Sequence, residues 1–135
     1  MMLPPMLIEL LAEFADIEDA RERAELLFDI ADEMPELFES ELNESNRIRG
    51  CQSRAHMMVT IDNDCVSIRG FADAKLVKGL MRILFLAFEG QTRTSALEIQ
   101  PDFIHESKLL NSITPSRANG FRNMFDYIKY QIEKD

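Results

Sequence analysis

Between residues 54 and 69 the hydrophobic pattern of the chain changes from a helical period to a strand period. Apolar and polar residues alternate on both sides of an Asp-Asn-Asp turn at residues 62–64, and this alternation is the spacing of β-strands. The pattern therefore predicts a β-hairpin. Its inward-facing residues are expected to be Ala55, Met57, Val59, Ile61, Val66 and Ile68. Residues 47–49 are expected to pair as a third strand, which places residue 51 in a loop between two strands.

Helical patterns precede the hairpin. An apolar stripe between residues 7 and 14 predicts a first helix, with proline suited to its first turn. A second helix is predicted from about Glu18 to Met34, with Asp16 as candidate N-cap and Pro35 at its end. Its inward-facing residues are expected to be Ala20, Ala24, Leu27, Phe28 and Ala31.

The strongest helical pattern follows the hairpin and runs from Asp73 to Phe88. Its broad apolar face predicts the central core helix, and Asp73 is the candidate N-cap. Gly79 lies in the middle of this helix, where glycine costs about 1 kcal/mol relative to alanine. Its presence there indicates close packing against a neighbouring element.

A last helix is predicted to begin at the Thr114-Pro115 pair and to end near Glu133, because threonine suits the N-cap and proline the first helical position. Short helices are expected before it, opened by Thr92 and by Pro101. Together the patterns predict a single domain over residues 1–135 of the α+β class. Its small antiparallel sheet has about three strands and packs against the helices.

Charge is distributed unevenly along the 135 residues. The net charge is -9, but residues 1–46 alone carry -12 and the remainder carries +3. A sequence pI near 4.7 argues against a nucleic-acid partner, because such binding depends on clustered positive charge. We interpret the acidic part as solvated helix faces, with the steering of a basic partner as the alternative.

The two cysteines, Cys51 and Cys65, are too few to indicate a disulfide-built secreted scaffold. No apolar stretch approaches the roughly 18 residues of a membrane span. The N-terminal apolar run has no basic flank and is interrupted by prolines and Glu9, unlike a signal peptide. We therefore expect a cytoplasmic protein without a membrane partner, in which Cys51 is a free thiol.

The loop from Gly50 to Ser53 carries the candidate chemistry. Basic residues flank Cys51 on both sides: Arg47, Arg49 and Arg54. Positive charge near a thiol favours its nucleophilic thiolate form, and Gly50 lets a reaction partner approach the sulfur closely. Cys51 is therefore interpreted as a sulfur nucleophile. Cys65 is interpreted as structural, with a resolving disulfide to Cys51 as the alternative.

Three blocks of sequence resemble the SufE family. They are Gly50-Cys51-Gln52-Ser53; Gly70-Phe71-Ala72-Asp73-Ala74 with Val77-Lys78-Gly79-Leu80; and Thr114-Pro115-Ser116-Arg117-Ala118-Asn119-Gly120. Their order and gaps also match, and the resemblance runs from about Phe14 to Tyr127. It implies a SufE/NifU-like fold for the domain.

The resemblance also implies a function in iron–sulfur cluster assembly. Proteins of that family accept a sulfane sulfur from a pyridoxal-phosphate cysteine desulfurase, here of the SufS or CsdA type, onto their loop cysteine. They stimulate the desulfurase and pass the sulfur towards a cluster-assembly scaffold. On this basis Cys51 carries a transient persulfide, the pyridoxal phosphate belongs to the partner, and the chain itself has no cofactor and no metal site.

The resemblance names further residues of the site. Gly50, Gln52, Ser53, Asp73 and Arg117 are candidates for shaping the loop or contacting the partner. Arg117 is also placed unfavourably for the helix dipole in the first turn of the last helix, which indicates a specific contact.

The sequence departs from the family pattern at two positions. Ala72 stands where serine is usual, and His56 stands where an aromatic or other apolar residue is common. Neither position carries the sulfur, so these departures bear on the choice of partner more than on the chemistry.

Two other classes of function remain open from the residues alone. A cluster scaffold of the related U-type fold needs about four thiolate-type ligands, and the chain offers one convincing cysteine. A cysteine-dependent hydrolase would pair Cys51 with His105. The two histidines, His56 and His105, show no metal-ligand spacing.

Overall fold

The computed structural model describes residues 3–51 and 53–134. In these residues the helices are α1 (Pro5–Asp16), α2 (Ala20–Ala31), α3 (Lys75–Phe88), α4 (Arg93–Glu98) and α5 (Pro115–Lys134), and the strands are β1 (Ala55–Asp62) and β2 (Cys65–Ala72). Short 3-10 helices lie at Glu39–Glu41, Glu44–Asn46, Pro101–Ser107 and Leu109–Ser112. The α+β class predicted from the sequence is confirmed.

The hairpin forms as the alternation predicts. Strands β1 and β2 pair antiparallel from Ala55 opposite Ala72 to Asp62 opposite Cys65. Asn63 and Asp64 connect them with positive φ angles of 52° and 65°, the conformation of the tight turns that match strand twist. One face of the hairpin, including Met57 and other predicted inward residues, is buried in the core.

The third pairing segment is shorter than expected. Arg47 forms a single bridge with His56, and the Ile48 N–H donates to the Ala55 carbonyl at 2.8 Å. Gly50 then turns the chain with a φ of 77°, which ends the pairing. The sheet of the described residues therefore has two strands, with residues 47–49 adding one bridge to its edge.

Helices α1 and α2 agree with the sequence in outline and differ in detail. Helix α2 begins later than expected because Asp19, not Asp16, is the N-cap: its carboxylate accepts the Arg21 N–H at 2.9 Å. The helix ends at Ala31 rather than at Met34. The predictions that Ala20 and Phe28 face inward are wrong, since both residues are exposed and Ile30 is buried on the inner face.

Helix α3 is the predicted core helix, but Asp73 does not cap it. The helix starts at Lys75, its N-cap residue is Ala74, and no side-chain cap hydrogen bond is formed. The Asp73 N–H instead donates to the Arg54 carbonyl at 3.1 Å, so Asp73 continues the strand pairing beyond the end of β2. Asp73 therefore lies one residue before the N-cap position of α3.

The close packing expected at Gly79 is confirmed. A methyl group added at Gly79 would overlap the backbone carbonyl oxygen of Leu27 on α2. Helices α2 and α3 therefore approach each other at a contact that only glycine allows.

Helix α5 covers the other side of α3 and also contacts β1. The Arg117 N–H donates to the Thr114 hydroxyl at 3.3 Å, which is the predicted N-cap, and Pro115 is the first helical residue. Across the described residues, the helices lack the length and apolarity needed to cross a bilayer.

Candidate functional site

Gly50 shapes the loop that precedes β1. Its φ of 77° lies in the left-handed region, which is costly for residues with a side chain. A Cβ at this position would also lie 2.5 Å from the Asn123 side-chain nitrogen on α5. The backbone conformation therefore favours glycine at this position, and any side chain there would also have to displace the end of the Asn123 side chain.

Cys51 is half-buried and packs against the hydrophobic core. Its Sγ lies 3.9 Å from the Ser53 hydroxyl. On the other side lies Gly120 of α5, where an added Cβ would be 3.3 Å from the sulfur, closer than most real contacts. The thiol is therefore held between its own loop and the bare backbone of a helix.

Arg117 connects the first turns of α5 to the same loop. Its guanidinium donates a hydrogen bond to the Ser53 hydroxyl at 3.3 Å. Because the Ser53 hydroxyl also lies beside the Cys51 sulfur, Arg117, Ser53 and Cys51 form a continuous polar path. Gln52, the remaining candidate of this loop, lies outside the described residues.

The three arginines that flank the loop in the sequence have other neighbours. The Arg54 guanidinium lies over the Phe71 ring, 5.4 Å from its centroid. Arg47 lies 3.8 Å from the Glu44 carboxylate, and both side chains are exposed. Arg49 lines an open cleft with Tyr127 of α5. In the described residues, the guanidinium that hydrogen-bonds a loop side chain comes from Arg117 instead.

Asp73 meets the loop region through its backbone. Its N–H holds the Arg54 carbonyl, immediately after Ser53, while the residue itself is exposed. The structure thus places Gly50, Cys51, Ser53 and Arg117 together and places Asp73 at the end of the loop.

The two cysteines lie at different ends of the hairpin, and both are free thiols. Cys65 begins β2 beside the tight turn and bridges to Thr92, whereas Cys51 precedes the open end at Ala55. The eight residues of β1 span about 23 Å at roughly 3.3 Å per residue. This separation favours the structural interpretation of Cys65 over a disulfide with Cys51.

His105 does not form a catalytic pair with Cys51 in this structure. It is exposed in the 3-10 helix Pro101–Ser107, and in the described part of the chain no hydrogen bond joins it to the sulfur. A search of the same residues finds no group of three or more His, Cys, Asp or Glu side chains that could hold a metal ion.

Two contacts of the site were missed by the sequence reasoning. Gly120 is part of the third sequence block, and its position inside a predicted helix was a usable signal of close approach. Asn123 carries no such signal, since an asparagine on a half-exposed helix face is ordinary.

His56 lies behind the loop on β1 and is only 5% exposed. Its Nδ1 is 2.7 Å from the Asn46 Oδ1. The same oxygen accepts the Asn43 N–H, and the Asn46 amide nitrogen donates to the Glu41 carbonyl. The amide orientation is fixed from both sides, so His56 Nδ1 carries the proton.

Burial lowers the pKa of His56 below its ordinary value of about 6.5, and the nearby Arg54 guanidinium lowers it further. The unfolded chain consequently binds a proton at His56 more readily than the folded one. We expect the free energy of unfolding to fall as the pH drops through about 6.5 towards the lower folded-state pKa. Urea unfolding of the wild type and of His56→Phe between pH 7.5 and 5.5 measures how the free energy of unfolding depends on pH. His56→Phe should remove part of this loss of stability at low pH. Identical pH profiles for His56→Phe and the wild type would contradict the assignment.

The Arg117–Ser53 hydrogen bond should hold the loop closed. Losing it in Arg117→Gln should cost roughly 1 kcal/mol and raise the hydrogen-exchange rate of loop amides about fivefold. Arg122→Gln is the matched control, because it removes the same charge from an exposed position of the same helix. Equal exchange in the two variants would show that Arg117 does not restrain the loop.

The fold and the loop define a class of protein: a small helix-covered hairpin that presents one thiol on a glycine-bearing loop. The family model for SufE, described as an Fe-S metabolism associated domain, matches residues 8–132. The chain belongs to the SufE family.

Similar proteins agree with this assignment. An uncharacterized SufE-like protein of Synechocystis sp. is 36% identical over 123 residues, covering 91% of this chain and 77% of that protein. An uncharacterized SufE-like protein of Rhizobium meliloti is 25% identical over 130 residues, covering 93% of each chain. The solution structure of a hypothetical protein from Thermus thermophilus superposes with a TM-score of 0.81 at 24% identity, covering 98% of this chain and 97% of that one. That structure supports the fold alone. Family membership associates the chain with iron–sulfur metabolism.

Proposed function

We propose that the protein is a sulfur carrier that accepts a sulfane sulfur from a cysteine desulfurase onto Cys51, stimulates that enzyme, and passes the sulfur towards iron–sulfur cluster assembly. The observation that carries the proposal is the position of Cys51. It is a free, half-buried thiol on a loop whose shape depends on Gly50, beside Ser53 and Arg117.

The chemistry is a thiol–disulfide exchange with one additional sulfur atom. The Cys51 thiolate attacks the terminal sulfur of a persulfide on the desulfurase. A bond forms between Cys51 Sγ and that sulfur, the donor's sulfur–sulfur bond breaks, and the donor cysteine leaves as a thiolate. The exchange needs no general base beyond deprotonation of the attacking thiol, which fits the lack of a hydrogen bond between Cys51 and His105.

The partly buried sulfur supports the storage step. A persulfide on Cys51 would lie against Gly120 and the core, where small reductants have limited access. The sulfur must become accessible for both receipt and delivery, so the loop is expected to swing outwards when a partner docks. Equal hydrogen-exchange rates of the loop with and without the desulfurase would argue against that movement.

The number and positions of the cysteines also fit a sulfur carrier better than a cluster scaffold. Iron–sulfur clusters are normally held by about four thiolate-type ligands. Here Cys65 lies at the far end of the hairpin from the Cys51 loop, so the two sulfurs do not converge on one site.

The proposal is tested by the rate at which a purified cysteine desulfurase releases alanine from cysteine. Addition of the wild-type chain should raise this rate, and prior alkylation of the chain with iodoacetamide should remove the increase. A chain that does not change alanine release, or that stimulates it equally after alkylation, would overturn the proposal.

A further inference from the structure

A cleft beside the cysteine loop gathers positive charge in an otherwise acidic protein. It is lined by Leu42, Asn43, Glu44, Arg47, Arg54 and His56. Residues 1–46 carry a net charge of -12, yet the sequence contains no acidic residue from position 45 to position 61. The lining residues contribute two guanidinium groups against one carboxylate.

The pairing of the strands explains why these side chains converge. Arg47 is bridged to His56, and His56 is in turn paired with Phe71 on β2. Residues directly opposite in neighbouring strands share a face of the sheet, and Arg54 shares the face of His56 because it lies two residues earlier. The two arginines therefore lie on one face and line one cleft, although the cysteine loop separates them in the sequence.

Both guanidinium groups are partly pre-positioned. The Arg54 guanidinium lies over Phe71, whose ring also meets His56 edge-on at 6.2 Å between centroids. Arg47 already lies 3.8 Å from the Glu44 carboxylate within the same cleft. At 3.8 Å between exposed side chains this contact is loose, so the Arg47 guanidinium keeps donors for a second carboxylate.

From these contacts we infer that the cleft binds a carboxylate group between Arg47 and Arg54. The guanidinium fork matches the two oxygens of a carboxylate, which distinguishes this arrangement from a pair of lysines. Because Arg47 precedes Gly50 and Arg54 follows Ser53, one carboxylate bound to both would tie the two ends of the cysteine loop together. The ligand is either an Asp or Glu side chain of the docked desulfurase or the carboxylate of a free acid.

Binding of a carboxylate in the cleft does not depend on sulfur transfer. A role for that binding in docking to the desulfurase rests on the proposed function. His56 provides a local reporter, since a bound anion favours the imidazolium form and should raise the pKa that burial and Arg54 hold low. Glu44 is the opposing charge in the cleft, and Asn43 lies on the same wall. The other histidine, His105, is exposed on the 3-10 helix Pro101–Ser107 and does not line the cleft.

The test is an NMR titration of the full isotope-labelled chain with sodium succinate, with sodium chloride at matched ionic strength as the reference. Succinate should produce a saturable shift of the His56 imidazole signals and none of the His105 signals. Arg47→Gln and Arg54→Gln should each weaken binding about tenfold. Arg49→Gln is the matched control, since it removes the same charge from a loop arginine outside the cleft.

A response at His56 that chloride reproduces, or that survives unchanged in both cleft variants, would overturn the inference whether or not sulfur transfer occurs.

The source of the carboxylate follows from a titration of the desulfurase with the same variants. If the partner supplies it, Arg54→Gln should raise the half-saturating concentration about tenfold relative to Arg49→Gln. If the wild type binds succinate but Arg54→Gln and Arg49→Gln have equal half-saturating concentrations for the desulfurase, the site is assigned to a free acid.

Discussion

Cys51→Ser is expected to abolish both sulfur acceptance and stimulation of the desulfurase while leaving the fold intact. A serine hydroxyl is nearly the same size as the thiol but is not a nucleophile towards a persulfide under these conditions, because the reactive species in the exchange is the thiolate. Cys51 is only half-buried at the edge of the core, so the change should cost little stability. Alanine release by the desulfurase and the circular dichroism of the variant measure the two expectations.

Cys65→Ser is the matched control for that substitution. It makes the same chemical change at the other free thiol, which lies at the far end of the hairpin. Most of the stimulation should remain in this variant. Complete loss of stimulation in Cys65→Ser, with full activity in Cys51→Ser, would show that the roles of the two cysteines are reversed.

Gly79→Ala is expected to destabilise the protein, although alanine is the better helix former by about 1 kcal/mol. The added methyl group would meet the backbone oxygen of Leu27, and backbone cannot rotate away as a side chain can. Overpacking of this kind typically costs about 1–3 kcal/mol and occasionally more. Because the clash is with backbone, the penalty should lie near the upper end of that range and exceed the propensity gain, so the free energy of unfolding from urea titration should fall by up to about 2 kcal/mol.

Gly120→Ala separates these two effects, because it makes the same change inside another helix. There, among the residues that the structure describes, the added methyl group meets only the Cys51 sulfur, at 3.3 Å, which is a side-chain atom and not backbone. Its stability should be equal to that of the wild type or slightly higher. If Gly79→Ala proved as stable as Gly120→Ala, the close approach of α2 and α3 at Leu27 would be contradicted.

Local sequence patterns were sufficient for the elements that depend on neighbouring residues. The hairpin followed from alternation and from the Asp-Asn-Asp turn at residues 62–64, and α5 followed from the Thr114-Pro115 pair. Gly79 indicated a close helix contact because a helix tolerates glycine at a cost that packing must offset.

The errors occur where tertiary contacts choose between equivalent local options. Asp16 and Asp19 are both good N-cap residues, but Asp16 is the last residue of α1, and Asp19 caps α2. Asp73 could have capped α3, but its N–H is bonded to the Arg54 carbonyl and the helix begins one residue later, after Ala74. Phe28 had the expected hydrophobicity, yet the inner face of α2 is completed by Ile30.

In the candidate site, too, the features set by local sequence were predicted and some of those set by tertiary contacts were not. Its own loop residues, Gly50, Cys51 and Ser53, were identified from a contiguous block of sequence. Arg117 was identified by its unfavourable position near a helix N-terminus. Gly120 carried a usable signal as a glycine inside a predicted helix, whereas the approach of Asn123 to the loop depends on how α5 packs against β1, which no local pattern records.

The most direct measurement is the intact mass of the protein after brief incubation with a cysteine desulfurase and cysteine, followed by peptide mapping without reductant. The account predicts one added sulfur atom, located on Cys51 and lost on treatment with a thiol reductant. An unmodified Cys51 under conditions in which the desulfurase turns over, or a sulfur located on Cys65 instead, would contradict it.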